Sequence, residues 1–187
     1  MEDTKNILLD HNVIVHQKML NDINIEIINR TKSKQKTSNR VCFIVDYKSR
    51  EILCYSFNLF YKSDKFPFSI HSEINTITKY YKTTQRSEKN KIKSKKILII
   101  LKLTKSGKLG NSKPCQGCAN YINNNLDNLN LVNVYYSTQY NELIKLENED
   151  MQSDIFRYSS GSQFYLNKKV DQKLYQKLDN KQYHKNE

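Results

Sequence analysis

What this chain lacks narrows it first. No run approaches the roughly 18 consecutive apolar residues of a membrane-spanning helix, so no membrane span is expected. The amino terminus, Met1-Glu2-Asp3-Thr4-Lys5, is acidic and has no long apolar stretch behind it. That speaks against a secretory leader and for a soluble intracellular protein, cytoplasmic or nuclear. Cysteine is scarce: Cys42, Cys54, Cys115 and Cys118 are the whole set. Two of them fall in one short motif, which fits a reducing compartment better than a disulfide scaffold. Acidic residues are short as well. Asp and Glu number 19 against 31 Lys and Arg, leaving a net charge of +12 at pH 7. Such an excess predicts an anionic partner, nucleic acid first, although richness in Lys, Asn, Ile and Tyr is also what AT-rich coding tends to produce. Internal repeats are absent. At 187 residues the chain suits a single domain with appendages and is long enough for a real core.

What is present can be taken in order. Apolar residues at Leu9, Val13, Leu20 and Ile27, with Ile14, Ile23 and Ile28 beside them, predict a helix within 8–28 that packs on a sheet. His11 and His16 lie there without partners that would make them ligands. The polar, basic stretch 31–39 reads as a loop. Val41–Val45 and Ile52–Phe57 are β-rich runs around Tyr47-Lys48-Ser49-Arg50, a hairpin. Cys42 and Cys54 inside them read as small buried hydrophobes. After Phe66-Pro67-Phe68, Ile74, Ile77 and Tyr80 or Tyr81 mark a helix with His71 and Glu73 in its first turn. The stretch 82–96 reads as a basic interruption, and Ile97–Leu101 as a central strand buried on both faces. A helix over 119–126 leads to a strand at Leu131–Ser137, parallel to its predecessor. Only 138–141 separate it from Glu142–Leu146, a run that could equally begin a helix; read as a strand, it is too close for a crossover helix and right for a hairpin. Val170, Leu174 and Leu178 among lysines suggest a basic surface helix near the C-terminus.

The chemistry gathers in Lys113-Pro114-Cys115-Gln116-Gly117-Cys118 and His71-Ser72-Glu73. Two thiols three positions apart, after a proline at home near a helix start, sit on one turn and can grip one ion. The positive end of the helix favours their thiolate forms. Zinc prefers four ligands, so His71 supplies a third and leaves one place for water. Glu73, two residues on, is the carboxylate that can carry a proton beside that water.

His-x-Glu followed by Pro-Cys-x-x-Cys, each half leading a helix-like stretch, resembles the cytidine deaminase-like superfamily over roughly Arg40–Ser137. That superfamily includes cytidine deaminases, tRNA adenosine deaminases and the AID/APOBEC enzymes. The resemblance implies an α/β, three-layer α-β-α sandwich with a mixed sheet of about five strands. It implies Zn²⁺ on His71, Cys115 and Cys118, with Glu73 catalytic. It also sets Asn58, at the end of its strand, against a ribose. Free-nucleoside cytidine deaminases carry a glutamate two residues further, where this chain has Phe60 followed by Tyr61. Aromatic faces there suit base stacking. Asn111-Ser112-Lys113 stand where tRNA deaminases commonly carry glutamate. The short last connection favours the branch with an antiparallel final strand. Donors around Ser72 and Lys113 are at hand to orient a base.

The expected organisation is an N-terminal helix and basic loop over 1–39, a deaminase-like core over 40–148 and a C-terminal extension over 149–187. The expected activity is zinc-dependent hydrolytic deamination of a nucleobase, cytosine first, in single-stranded nucleic acid or a nucleotide. Lys89, Lys91, Lys93 and Lys95 would track the phosphate backbone. A free cytidine or deoxycytidine deaminase and a non-catalytic, zinc-stabilised nucleic-acid-binding module stay open beside it, as does homo-oligomerisation.

Overall fold

In this computed structural model, residues 8, 13, 17–32, 39–61, 68–86, 94–104 and 108–147 are described. The elements run α1 (Gln17–Lys32), β1 (Asn39–Asp46), β2 (Ile52–Phe57), β3 (Leu59–Tyr61), β4 (Phe68–Ile70), α2 (Ser72–Arg86), β5 (Lys96–Leu103), β6 (Leu109–Gly110), α3 (Gln116–Asn123), α4 (Leu126–Leu129), β7 (Leu131–Ser137) and β8 (Leu143–Lys145). The main sheet has the order β2-β1-β5-β7-β8, with β6 folded back on β5. β1 is antiparallel to β2 and β5, β5 is parallel to β7, and β8 is antiparallel to β7. The parallel pair is the one joined through helices, and the short connection makes the hairpin, as chain length requires.

Alternation along β1 and β5 divides the core. Cys42, Ile44, Leu98 and Ile100 face Ile77 and Tyr80 of α2, Ala119 and Ile122 of α3 and Leu129 of α4. Val41, Phe43, Val45, Ile97, Ile99 and Leu101 face the other way, towards Ile23 of α1 with Leu8 and Val13. The result is the expected α-β-α layering, with the centre of β5 apolar because both its faces are covered. Among the described residues no helix is long and apolar enough to cross a membrane.

Several local readings change. Of the helix expected within 8–28, α1 covers Gln17–Lys32 while Val13 lies outside any helix, and strand β1 begins at Asn39, so both ends of the expected 31–39 loop are structured. Ile23 is buried under the sheet while Ile28 stands 46% exposed, a phase the broad apolar stripe did not specify. The helix expected at 119–126 is α3 and α4, separated by a turn; Asn130 ends α4 in the left-handed conformation that Asn tolerates. The basic interruption is shorter than expected at both ends, because α2 continues to Arg86 and Lys96 opens β5. Lys96 is completely buried: its Nζ bonds the Ser94 carbonyl and lies 5.7 Å from the centre of the Tyr80 ring. Burial lowers its pKa, and the nearby Asp46 opposes that shift. His11, His16, the segment with Lys89, Lys91 and Lys93, and the C-terminal extension lie outside the described residues.

Candidate metal centre

Two helix starts meet at one end of the sheet. His71 directly precedes α2, and its carbonyl accepts the Asn75 N–H at 3.0 Å, so it stands just before the first turn and not within it. Cys115 holds the same place before α3, with extended backbone, while Cys118 lies in that helix's first turn. Proline at 114 suits this entry because no intrahelical hydrogen bond is sacrificed there. The start of α2 is pinned to the sheet from both sides. Thr76 Oγ1 bonds the carbonyls of Ser72 (2.7 Å) and Cys42 (3.2 Å), and Asn75 Nδ2 donates to Phe57 O at 2.8 Å. Tyr81 Oη reaches Asn125 Oδ1 at 3.1 Å, tying α2 to the end of α3.

The ligating atoms of His71, Cys115 and Cys118 all lie within 4.8 Å of one another, a group that could hold a metal ion. His71 Nδ1 is 3.5 Å from Cys115 Sγ and 3.3 Å from Cys118 Sγ. The hydrogen bond from Cys118, helped by His71 and opposed by burial, brings the Cys115 thiol down to about 2. The same bond, with burial added, pushes Cys118 well above the usual thiol range. His71 is raised, first by its bond to Cys115 and also by Glu73, against burial. Of the two thiols, Cys115 is thus the one most easily turned into a thiolate, the form that binds a metal. Cys42 and Cys54 stay out of it; both are buried thiols of the core, and burial raises Cys54 to about 11.

Glu73 is fully buried beside this cluster, and its charge acts on both His71 and Cys118. Its Oε2 accepts from Ser72 Oγ at 2.9 Å, so the Ser72 hydroxyl is engaged in holding the carboxylate. Its Oε1 is buried with no hydrogen-bond partner. A buried carboxylate oxygen left unpaired is expensive, and such groups concentrate where chemistry is done.

Asn58 is buried directly after β2. Its N–H bonds Arg40 O at 3.3 Å and its carbonyl accepts from Arg30 Nη1 at 2.8 Å. The β3–β4 hairpin pairs Leu59 with Ile70, so its register brings Asn58 beside His71. Phe60, opposite Ser69 on the same hairpin, is 40% exposed. Lys113 has its Nζ 6.0 Å from the centre of the Tyr136 ring, and Lys95 is exposed before β5.

Arg40 carries no motif that would single it out in the sequence. It lies two residues before Cys42 on the face that meets α2 and α3, and its charge lowers both His71 and Cys118. Its Nε is buried without a hydrogen-bond partner. The period-two alternation of β1 could have placed it, had the direction of the sheet been known. Compared with protein-family models, curated proteins and solved structures, the chain finds no match, so its function is to be reached from this cluster.

Proposed function

We propose that the chain is a zinc-dependent deaminase that hydrolyses the amino group of a nucleobase, cytosine first, in single-stranded nucleic acid or a nucleotide. The donor set fits the metal. A tetrahedral ion with Zn–S of about 2.3 Å and Zn–N of about 2.0–2.1 Å separates nitrogen from sulfur by about 3.5 Å. The two separations here are 3.5 and 3.3 Å. Two cysteines and a histidine also suit zinc better than magnesium or calcium, which take oxygen ligands. When bound, zinc supplies a Lewis acid that makes water reactive near neutral pH.

The observation that carries the proposal is the unpaired, buried Oε1 of Glu73 beside the three ligands. A purely structural zinc site has no need of a non-ligand carboxylate. In the deaminase reading, Oε1 takes a proton from water, while Ser72 holds Oε2 still. Glu73 then returns protons to the ring nitrogen and to the departing amine. Water adds at C4 of cytosine, the C4–N4 bond breaks, and uracil and ammonia result. His71 keeps Nδ1 towards the cysteines throughout, and the two thiolates stay fixed by the start of α3. Asn58 would meet the sugar and Phe60 would stack on a base at the mouth. The absence of a carboxylate at position 60 favours a polymeric or phosphorylated substrate over a small free nucleoside.

The test is to incubate the zinc-loaded protein separately with cytidine, deoxycytidine, single-stranded DNA and RNA, and to assay uracil and inosine. Uracil in a nucleic acid supports the proposal. Conversion of free cytidine alone would move the function to nucleoside salvage chemistry. Zinc binding with no conversion of any base would leave the non-catalytic nucleic-acid-binding module.

A further inference from the structure

The loop that delivers Cys115 is held by two buried serines outside the metal group. β5 and β7 pair in parallel as far as Ile100↔Tyr136. Beyond that point Ser112 enters between them. Its hydroxyl donates to Ile100 O at 2.7 Å and accepts the Ser137 N–H at 2.7 Å, so it relays between two strands beyond their last paired residues. Its own N–H donates to Ser137 O at 2.8 Å. The Ser137 hydroxyl donates to Gly110 O at 2.8 Å and accepts the Lys102 N–H at 3.2 Å. The two hydroxyl oxygens are 3.0 Å apart. Both residues are fully buried, and each hydroxyl proton has an acceptor.

This arrangement spreads the parallel strands at their C-terminal ends, the place where open α/β sheets form their crevices. It also fixes the chain at residue 112, three positions before Cys115. Between them, Asn111 Oδ1 accepts the Lys113 N–H at 2.9 Å, and Pro114 restricts the entry into α3. Little freedom is left for the cysteine pair once Ser112 is seated.

We infer that Ser112 and Ser137 form a clasp that positions Cys115 and Cys118 against His71, making them positioning residues of the metal centre. The inference rests on reading His71, Cys115 and Cys118 as that centre. With the Ser112 hydroxyl gone, Ile100 O and the Ser137 N–H face each other across a gap. Either β7 closes onto β5 and displaces the cysteine loop, or both groups stay unmet and the loop is held there by the Ser112 N–H bond to Ser137 O alone.

Cobalt(II) is the probe, because its visible bands report ligand type and geometry separately from protein stability. The full-length chain is compared as wild type, Ser112→Ala, Ser137→Ala and Thr104→Ala. Thr104 is the control: its hydroxyl bonds Lys108 O at 2.9 Å between the ends of β5 and β6 and lies outside the clasp. Ser112→Ala should weaken cobalt about 10–100-fold, the usual effect of removing an outer-shell partner, and should shift its bands. Ser137→Ala, which retains the Ser112 relay, should do the same to a lesser degree and stands in if Ser112→Ala fails to fold. Thr104→Ala should do neither. Folded serine variants with wild-type affinity and spectrum would overturn the clasp. If the wild type takes no cobalt, the metal reading fails, and the clasp is judged on metal-free protein by thiol labelling. Cys115 and Cys118 should then label severalfold faster in the serine variants than in Thr104→Ala; equal rates would overturn it.

Discussion

The two faces of the sheet are built from the same strands and do different work. Towards α1, the residues of β1 and β5 are Val41, Phe43, Val45, Ile97, Ile99 and Leu101, a continuous apolar surface. Towards α2 and α3, Cys42, Ile44, Leu98 and Ile100 begin an equally apolar core, which gives way at one end to Ser72, Glu73, His71 and the cysteine pair. Both faces are buried, yet among the described residues the buried, partnerless oxygens of Glu73 and Gln116 belong to α2 and α3, the helices of the second. A face that only stabilises has no reason to keep such atoms. A face that holds a group able to bind a metal, as the proposed deaminase would, does.

The sharpest way to break this contrast is at the ligands. Cys115→Ala or Cys118→Ala should abolish stoichiometric zinc, measured by elemental analysis of the purified protein, and all activity with it. Cys42→Ala, on the same face but away from the group, should keep about one zinc per chain. Zinc retained without Cys115, or absent from the Cys42 variant, would mean the centre is elsewhere. Next comes Glu73→Gln, nearly isosteric, which should retain zinc and fold while deamination falls by a factor of about 10² to 10⁴. Collapse of the fold would instead assign Glu73 to structure.

On the α1 face the expectation reverses. Ile99→Ala should lower unfolding free energy by about 2–5 kcal/mol, read from denaturant titration, because it leaves a cavity in a closed core. Zinc content of the folded fraction should stay the same. Changing Lys89, Lys91, Lys93 and Lys95 together to Gln should leave zinc untouched. It should also flatten the dependence of log K on log salt, by roughly 0.7 for each single-strand phosphate that is no longer neutralised. Parallel slopes for variant and wild type would make those lysines a solvated stretch.

The smallest effect belongs at the far end of β1. Partial burial would raise the Asp46 carboxyl, but hydrogen bonds from the Ser49 and Lys48 N–H groups and from the Ser94 and Ser49 hydroxyls outweigh it and lower its pKa. A carboxyl depressed in the folded state adds stability that is present above its unfolded pKa of about 3.9 and disappears as pH falls through the folded value. Asp46→Asn should therefore melt slightly below wild type at neutral pH, with the gap closing in acid. A gap that persists there would assign the effect to the turn's geometry.

The elements were legible wherever one physical signal dominated. Ile97–Leu101 is apolar on every residue, and a strand covered on both sides satisfies that. The length of 138–141 excludes a crossover helix, and once Leu143–Lys145 is a strand it pairs with β7 as a hairpin. Boundaries blurred where signals competed, as at Lys96, whose charge reads as solvent-facing although its stem is buried and its head is satisfied locally. Arg40 was invisible for a related reason: which face of β1 meets the metal group depends on where α2 lands.

By itself, the sequence determined the donor types, their spacing and the helix starts that favour thiolates, because these are local properties of Pro114–Cys118 and His71–Glu73. Tertiary structure alone decided that residues 44 positions apart, His71 and Cys115, come within 3.5 Å. It decided too that Glu73 is sealed from solvent, and that the Ser112 hydroxyl bonds both Ile100 and Ser137. Each of those facts depends on the parallel pairing of β5 with β7 and on the packing of α2 against both sheet and α3. Such long-range pairings leave no periodic trace in the chain.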